Sequence, residues 1–169
     1  MMPKSYWPEL PCIEQDPVTE LGSKGRYVIS PFEARLFSQI VDIERRCFRN
    51  PYSLEFLRLL TTWYPELFLI AASDCSVLGY VVASADGRWS HIISLAVKPE
   101  CRRIGIATSL LKNLMERLRS IGVRQVLLEV REDNKAALRL YEKLGFRCSR
   151  RIGRYYEDGS GAIEFEKLL

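Results

Sequence analysis

Short apolar runs of strand length alternate along the chain with longer stretches whose apolar residues recur every three or four positions, and their order predicts the architecture. Tyr27, Val28 and Ile29 stand in line within a strand over residues 26–30. Pro31 suits the first turn of a helix, and Leu36, Ile40, Ile43, Cys47 and Phe48 then recur at helical spacing. Arg49-Asn50-Pro51-Tyr52 interrupts this helix. Ser53 is positioned to cap a second one that carries Phe56, Leu57, Leu60 and Trp63, with Glu55 in its first turn and Pro65 at its end. Strands follow over 67–72 and 77–84, and Asp86-Gly87 signals a hairpin leading into a strand over 91–97. A long helix then places Ile106, Leu110, Leu111, Leu114, Met115 and Leu118 on one face and stops before Gly122. Gln125–Arg131 is a strand. Asn134 caps a helix whose inner face is Ala137, Leu140, Tyr141 and Leu144, with Gly145 just past its end. Strands over 146–152 and Ala162–Leu168 flank a polar loop.

The order β-α-α-β-β-β-α-β-α-β-β predicts a single α/β domain over 26–169 with a mixed sheet. Strand followed by helix, twice in the second half, predicts parallel neighbours. Ligands of such sheets bind beyond the carboxyl ends of the strands, which brings residues 102–107 close to the start of the Asn134 helix. Residues 1–25 hold no sustained period, and Pro3, Pro8, Pro11 and Pro17 interrupt them. They are expected to form an extension that lies on the domain or is partly disordered. The extension has no apolar core of a signal peptide, and no apolar run reaches the ~18 residues of a membrane span. The expected location is the cytoplasm.

Composition adds limits more than direction. The 169 residues are 47% hydrophobic and 27% charged, as in an ordinary globular domain. A net charge of +4 is mild. Arginines gather at 102, 103, 117, 119, 124, 147, 150, 151 and 154. Most read as solvated surface, with ligand phosphates or ribosomal RNA as the functional alternatives. No RNA-binding motif accompanies them. Cys12, Cys47, Cys75, Cys101 and Cys148 are odd in number and contain no C-x-x-C pair, so neither a zinc knuckle nor a disulfide framework is expected.

Arg102-Arg103-Ile104-Gly105-Ile106-Ala107 lies between the 91–97 strand and a helix. Backbone N–H groups at a helix start have no intrahelical partner, and the helix dipole favours negative charge there. A pyrophosphate is the expected ligand, with a plain helix start and solvated arginines as the alternative. The G-x-x-x-x-G-K-[ST] and G-x-G-x-x-G patterns of two common phosphate loops are both absent. R-x-x-G-x-A instead resembles the acyl-CoA pyrophosphate turn of the GNAT superfamily. Further motifs fall in order around it. They are His91-Ile92-Ile93-Ser94-Leu95-Ala96-Val97, Leu128-Glu129-Val130-Arg131, N-x-x-A-x-x-L-Y-x-x-L-G-F from Asn134 to Phe146, and Y-Y-x-D-G from Tyr155. Residues 27–169 together resemble the GNAT protein N-terminal acetyltransferases, among them archaeal enzymes and bacterial enzymes that acetylate ribosomal proteins.

The resemblance implies a GNAT-type mixed, mostly antiparallel sheet of about seven strands flanked by about four helices. It implies acetyl-CoA as co-substrate and no metal. Backbone groups of Leu95, Ala96 and Val97 would meet the pantetheine arm, with the Val97 N–H at the thioester oxygen, a contact worth about 3 kcal/mol. The pyrophosphate would meet the N–H groups of Arg103, Ile104, Gly105, Ile106, Ala107 and Thr108, assisted by the Arg102 and Arg103 side chains. Asn134 matches a contact to the cofactor arm. Glu129 and His91 match proton acceptors that work through an ordered water, and Tyr141 matches the proton donor to the leaving thiolate. Phe48, Arg49, Tyr52, Tyr155 and Tyr156 would receive the substrate. Plainer alternatives stand beside these roles. Glu129 could pair with Arg131 or Lys98, His91 and Tyr141 could be structural, and the tyrosine pair could be hairpin packing.

The chain departs from the family pattern where Arg49-Asn50-Pro51-Tyr52 replaces a proline or a glutamate-bearing P-E-N-Y run. That removes an acidic group from the substrate mouth and leaves the preferred acceptor residue open. The implied partners are protein or peptide N-termini, with the ribosome as an option. No specific nucleic acid and no membrane are expected, and the chain would be a monomer or weak dimer. Acetylation of a small amine or a lysine side chain, and a non-catalytic CoA-binding module, are the alternatives.

Overall fold

The computed structural model describes residues 18–22, 25–73 and 76–169. Its strands are β1 (Val18–Gly22), β2 (Gly25–Pro31), β3 (Phe68–Ser73), β4 (Ser76–Asp86), β5 (Trp89–Val97), β6 (Gln125–Arg131), β7 (Arg147–Ile152) and β8 (Ala162–Leu168). Its α-helices are α1 (Phe37–Cys47), α2 (Leu54–Trp63), α3 (Ile106–Ser120) and α4 (Lys135–Lys143). The strands form one sheet in the order β1-β2-β3-β4-β5-β6-β8-β7. Every pairing is antiparallel except β5 with β6.

Alternation along the strands directs apolar side chains to both faces, and each face acquires its own core. Ile40 and Ile43 of α1 and Leu57 and Leu60 of α2 pack on Phe68, Ile70, Tyr80, Val82 and Ala96. On the opposite face, Leu110, Leu111, Leu114 and Leu118 of α3 pack with Val81, Ala83, Ile92, Val126, Leu128 and Phe165, and Tyr141 of α4 joins them. The expected caps are present. Ser53 Oγ accepts the Phe56 N–H at 3.2 Å, and Asn134 Oδ1 accepts the Ala137 N–H at 3.1 Å. Among the described residues no helix is long and apolar enough to cross a membrane.

Three features differ from the sequence expectation. Residues 18–22, expected within the extension, form β1 against β2. V-T-E-L-G lacks alternation, so this strand arises from pairing with an available sheet edge and not from a local apolar pattern. The rest of the expected extension, residues 1–17 with 23 and 24, lies outside the described residues. Pro31 ends β2 and does not open a helix. The Phe32 N–H donates to Phe68 O at 2.7 Å, a short 3₁₀ turn over Ala34–Leu36 follows, and α1 begins only at Phe37. Finally, β6 and β7 are parallel but not adjacent, because β8 inserts between them and pairs antiparallel with both.

The parallel pair β5·β6 is short. It comprises Trp89↔Gln125, Ser90↔Val126 and His91↔Leu127. Beyond His91 the two strands part.

Candidate active site

The parting leaves one edge of β5 facing a gap. The Lys98 N–H donates to Leu78 O at 2.9 Å, and the register continues with Ala96↔Tyr80 and Ser94↔Val82. Hydrogen-bonded pairs alternate in an antiparallel ladder. Ser94, Ala96 and Lys98 therefore commit their backbone groups to β4, while Leu95 and Val97 turn theirs toward β6. Two of the three residues expected to offer backbone groups are thus placed to do so. Ala96 is not, since its backbone belongs to the β4 ladder. Gly79 permits this close approach, because a Cβ there would lie 2.7 Å from Ala96 O and 3.2 Å from Val97 Cα. A register shift leaves Ile93 as an extra residue between Ser94↔Val82 and Ile92↔Ala83.

The arginine turn follows directly. Gly105 caps α3 with φ +98°, in the left-handed region that favours glycine, and Arg103 has φ +64°. The Ser109 N–H donates to Gly105 O, so the N–H groups of Ile106, Ala107 and Thr108 precede the first helical bond and project from the helix start. The Arg102 side chain does not join them. Its Nε donates to Val97 O at 3.0 Å and its Nη2 approaches Cys47 Sγ at 3.5 Å, tying the end of β5 to the end of α1. Of the two arginines expected to assist an anion, the structure turns Arg102 away. Because β5 and β6 run parallel, α3 and α4 start at the same end of the sheet. Asn134 uses Oδ1 as the α4 cap, which leaves its amide nitrogen as the group it can present to a ligand.

His91 and Glu129 meet where the strands begin to part. His91 Nε2 lies 2.6 Å from Glu129 Oε2. Glu129 points away from Leu128 and Val130, which lie in the core beneath α3 and α4. The alternative partners for Glu129 are engaged elsewhere. Arg131 donates to Asp158 Oδ2 at 2.6 Å, and Lys98 donates to Ser76 Oγ at 3.1 Å. Tyr141 sits on the other face, its ring 5.5 Å from Phe146 and 6.1 Å from Phe165. Burial, and then the neighbouring Tyr156, push its phenol well above the ordinary value. The three residues expected to act together thus occupy opposite faces of the sheet, His91 and Glu129 on one and Tyr141 on the other.

Two loops frame the face that carries His91 and Glu129. Residues 48–53 contribute Phe48 and Tyr52, both exposed. The β7–β8 loop contributes Tyr155 and Tyr156, whose rings meet edge to face at 5.0 Å. Burial raises Tyr155, helped by the charge of Glu129 and a hydrogen bond to it. Tyr156 is pushed up to about 12, by burial first and then by Tyr155. The Arg131 guanidinium lies 4.5 Å over the Tyr156 ring. Asn50 Nδ2 donates to Glu157 Oε2 at 3.2 Å, and Arg49 Nη1 lies 4.0 Å from Asp158 Oδ2, so the loops touch across the mouth.

A model of the acetyltransferase (GNAT) family matches residues 37–146. The chain belongs to the GNAT acetyltransferase family. An uncharacterized N-acetyltransferase of Methanocaldococcus jannaschii is 39% identical over 137 residues, which cover 80% of this chain and 88% of that one. An N-alpha-acetyltransferase of Saccharolobus solfataricus is 34% identical over 144 residues, covering 78% and 86%. The crystal structure of the ribosomal-protein-S18-alanine N-acetyltransferase from Escherichia coli superposes with a TM-score of 0.76 at 26% identity, covering 85% of this chain and 94% of that one.

Acetyl-CoA is the acyl donor of this GNAT enzyme, and it supplies an activated acetyl thioester when bound. The chain fits it on two counts. The Leu95 and Val97 edge offers backbone groups to an amide-bearing arm, and the glycine-capped start of α3 offers N–H groups to a pyrophosphate. Both Val97 O and the Cys47 thiol are partly taken already, since Cys47 Sγ donates to Val97 O at 3.4 Å. That leaves the Val97 N–H and the Leu95 pair as the open groups. The sequence reading missed Glu44, which is 2% exposed on α1. Its signal was present, because position 44 falls on the same helical stripe as Ile40, Ile43 and Cys47.

Proposed function

We propose that this acetyltransferase modifies the α-amino group of protein N-termini. The observation that carries the reading is the His91–Glu129 pair at 2.6 Å, set at the point where β5 and β6 part and opening onto the mouth between the two loops. An amine must lose its proton before it attacks a thioester. An α-amine has a reference pKa of about 7.7–8.0, against about 10.4 for lysine, so a carboxylate–imidazole pair is sufficient for the former. The names of the S. solfataricus and E. coli relatives support the same acceptor class.

In this reading Glu129 and His91 hold the acceptor for the amine proton, directly or through one water. Tyr141 holds a proton at Oη, on the far face of the gap, for the departing sulfur. The Val97 N–H faces the thioester oxygen, where one donor is worth about 3 kcal/mol. The N–H groups from Arg103 to Thr108 and the Asn134 amide grip the donor, and Phe48, Arg49, Tyr52, Tyr155 and Tyr156 grip the peptide. The partners are free protein N-termini, including those emerging from or belonging to the ribosome, in the cytoplasm. Incubation with labelled acetyl-CoA and lysine-containing peptides, with N-termini free or blocked, tests the assignment. Label is expected on the free α-amine alone. Equal labelling of blocked peptides on lysine overturns it.

A further inference from the structure

Glu44 is a buried carboxylate with no cation against it among the described residues. Its Oε1 accepts the Tyr52 backbone N–H at 3.0 Å, and its Oε2 accepts the Tyr80 hydroxyl. The Tyr80 hydroxyl also lies 2.9 Å from Ser94 Oγ on β5. Burial raises the Glu44 carboxyl, while the Tyr52 N–H and then Tyr80 act in the other direction. A buried charge is costly, and leucine or methionine would fill the stripe between Ile40 and Cys47. What a carboxyl group supplies there, and an apolar residue cannot, is an acceptor that reaches the loop.

That loop is the acceptor mouth. Tyr52 is fixed at three points. Glu44 holds its backbone, the Phe56 ring lies 4.8 Å from its ring, and its hydroxyl donates to Ile93 O at 3.4 Å. Ile93 is the extra residue of the β5 bulge, two positions from His91. We propose that Glu44 is a positioning residue, which sets the 48–53 loop through the Tyr52 N–H so that the peptide-binding side of the mouth is preformed beside His91 and Glu129. The role rests on the peptide reading of the mouth and is separate from the donor contacts proposed at Leu95, Val97 and the start of α3.

Two variants separate reach from charge. Glu44→Gln keeps the length and an acceptor oxygen but loses the charge. Glu44→Asp keeps the charge but withdraws the acceptor by one methylene. Steady-state KM values for a peptide and for acetyl-CoA are measured independently, with amide hydrogen exchange of residues 48–53. Glu44→Asp is expected to raise peptide KM about tenfold, the size of one lost hydrogen bond, with acetyl-CoA KM within about twofold of wild type. Glu44→Gln is expected to stay within about twofold on both. Exchange of the loop is expected to quicken in the aspartate variant alone. Glu44→Met, similar in shape but without an acceptor oxygen, repeats the aspartate result if that variant is unstable. Unchanged peptide KM in the aspartate and methionine variants overturns the proposal, as does a parallel rise of both KM values or a larger effect from glutamine than from aspartate. The exchange readout needs no acceptor. If the wild-type enzyme acetylates only small amines, the proposed function fails, while unequal loop exchange still supports the tether and equal exchange removes it.

Discussion

Glu129 gains its place from its neighbours. Alternation along β6 turns it out of the core, its ion-pair alternatives are engaged by Asp158 and Ser76, and His91 lies in hydrogen-bond contact. Glu129→Gln preserves the size and a hydrogen bond to His91 while removing the proton acceptor. The expected result is a fall in kcat of about a hundredfold or more, with acetyl-CoA KM unchanged in steady-state assays. Wild-type turnover in Glu129→Gln combined with His91→Ala would remove both from the chemistry. Asp158 gives a pH prediction. Its bonds from Ser160 and then Arg131 hold the carboxyl well below the ordinary value. A group lowered in the folded state stabilises above its unfolded value, near 3.9, and loses that contribution as pH falls. The difference in Tm between wild type and Asp158→Asn should be constant from pH 5 to 8 and shrink below about 4. A difference that grows on acidification contradicts the ion pair. The meeting of His91 and Glu129 on adjoining strands was legible in the sequence because each sits in a motif with an ordered context, and so was the loop that carries Tyr155-Tyr156. The direction of the Arg102 side chain was not legible, for a physical reason: motif spacing places a Cα, while the direction of a long side chain depends on acceptors such as Val97 O and Cys47 Sγ, which come from elsewhere in the chain.

The decisive element is β5, which is hydrogen-bonded to β4 along its length but to β6 for only three residue pairs. Periodicity found β5, α3, β6 and α4 because each buries a clean stripe or face. It missed β1, which has no stripe, and it could not place β8 between β6 and β7, because strand order is decided by which edges are free. Gly79 is a second case. Nothing local marks it, yet it faces the carbonyl of Ala96 across the ladder. Gly79→Ala would press a methyl against backbone on the strand that presents Val97. The expected cost is about 1–3 kcal/mol of stability in denaturant unfolding, the range for an overpacked site. Because the displaced strand carries the proposed donor-binding edge, acetyl-CoA KM should rise more than peptide KM. An alanine variant of wild-type stability and unchanged donor KM would show that β4 can yield without moving Val97.

The sheet as a unit is divided at the parting of β5 from β6, and the core beneath α3 spans the division. Val81, Ala83 and Ile92 lie on one side of it and Val126, Leu128 and Phe165 on the other, with Leu110, Leu114 and Leu118 packed in the same core. Among the described residues, the opposite core, under α1 and α2, draws its buried strand residues from β3, β4 and β5 alone. Beyond His91 the two halves are therefore joined through α3 and the loops of the mouth, and no longer by strand pairing. In the proposed site, acetyl-CoA lies in the gap and adds what the missing ladder does not provide. At a hundredfold excess over Kd it should stabilise the folded state by about 2.7 kcal/mol and raise Tm accordingly. Amide exchange locates that stabilisation. Protection should appear at Leu95 and Val97 on β5 and from Arg103 to Thr108 at the start of α3, but not at Ala96, whose N–H already belongs to the β4 ladder. Equal protection of Leu95, Ala96 and Val97 would mean general tightening of the strand, and protection confined to residues 48–53 would place the donor in the acceptor mouth. Selective protection at the two odd-numbered positions is the outcome that only a ligand lying along the open edge of β5 produces.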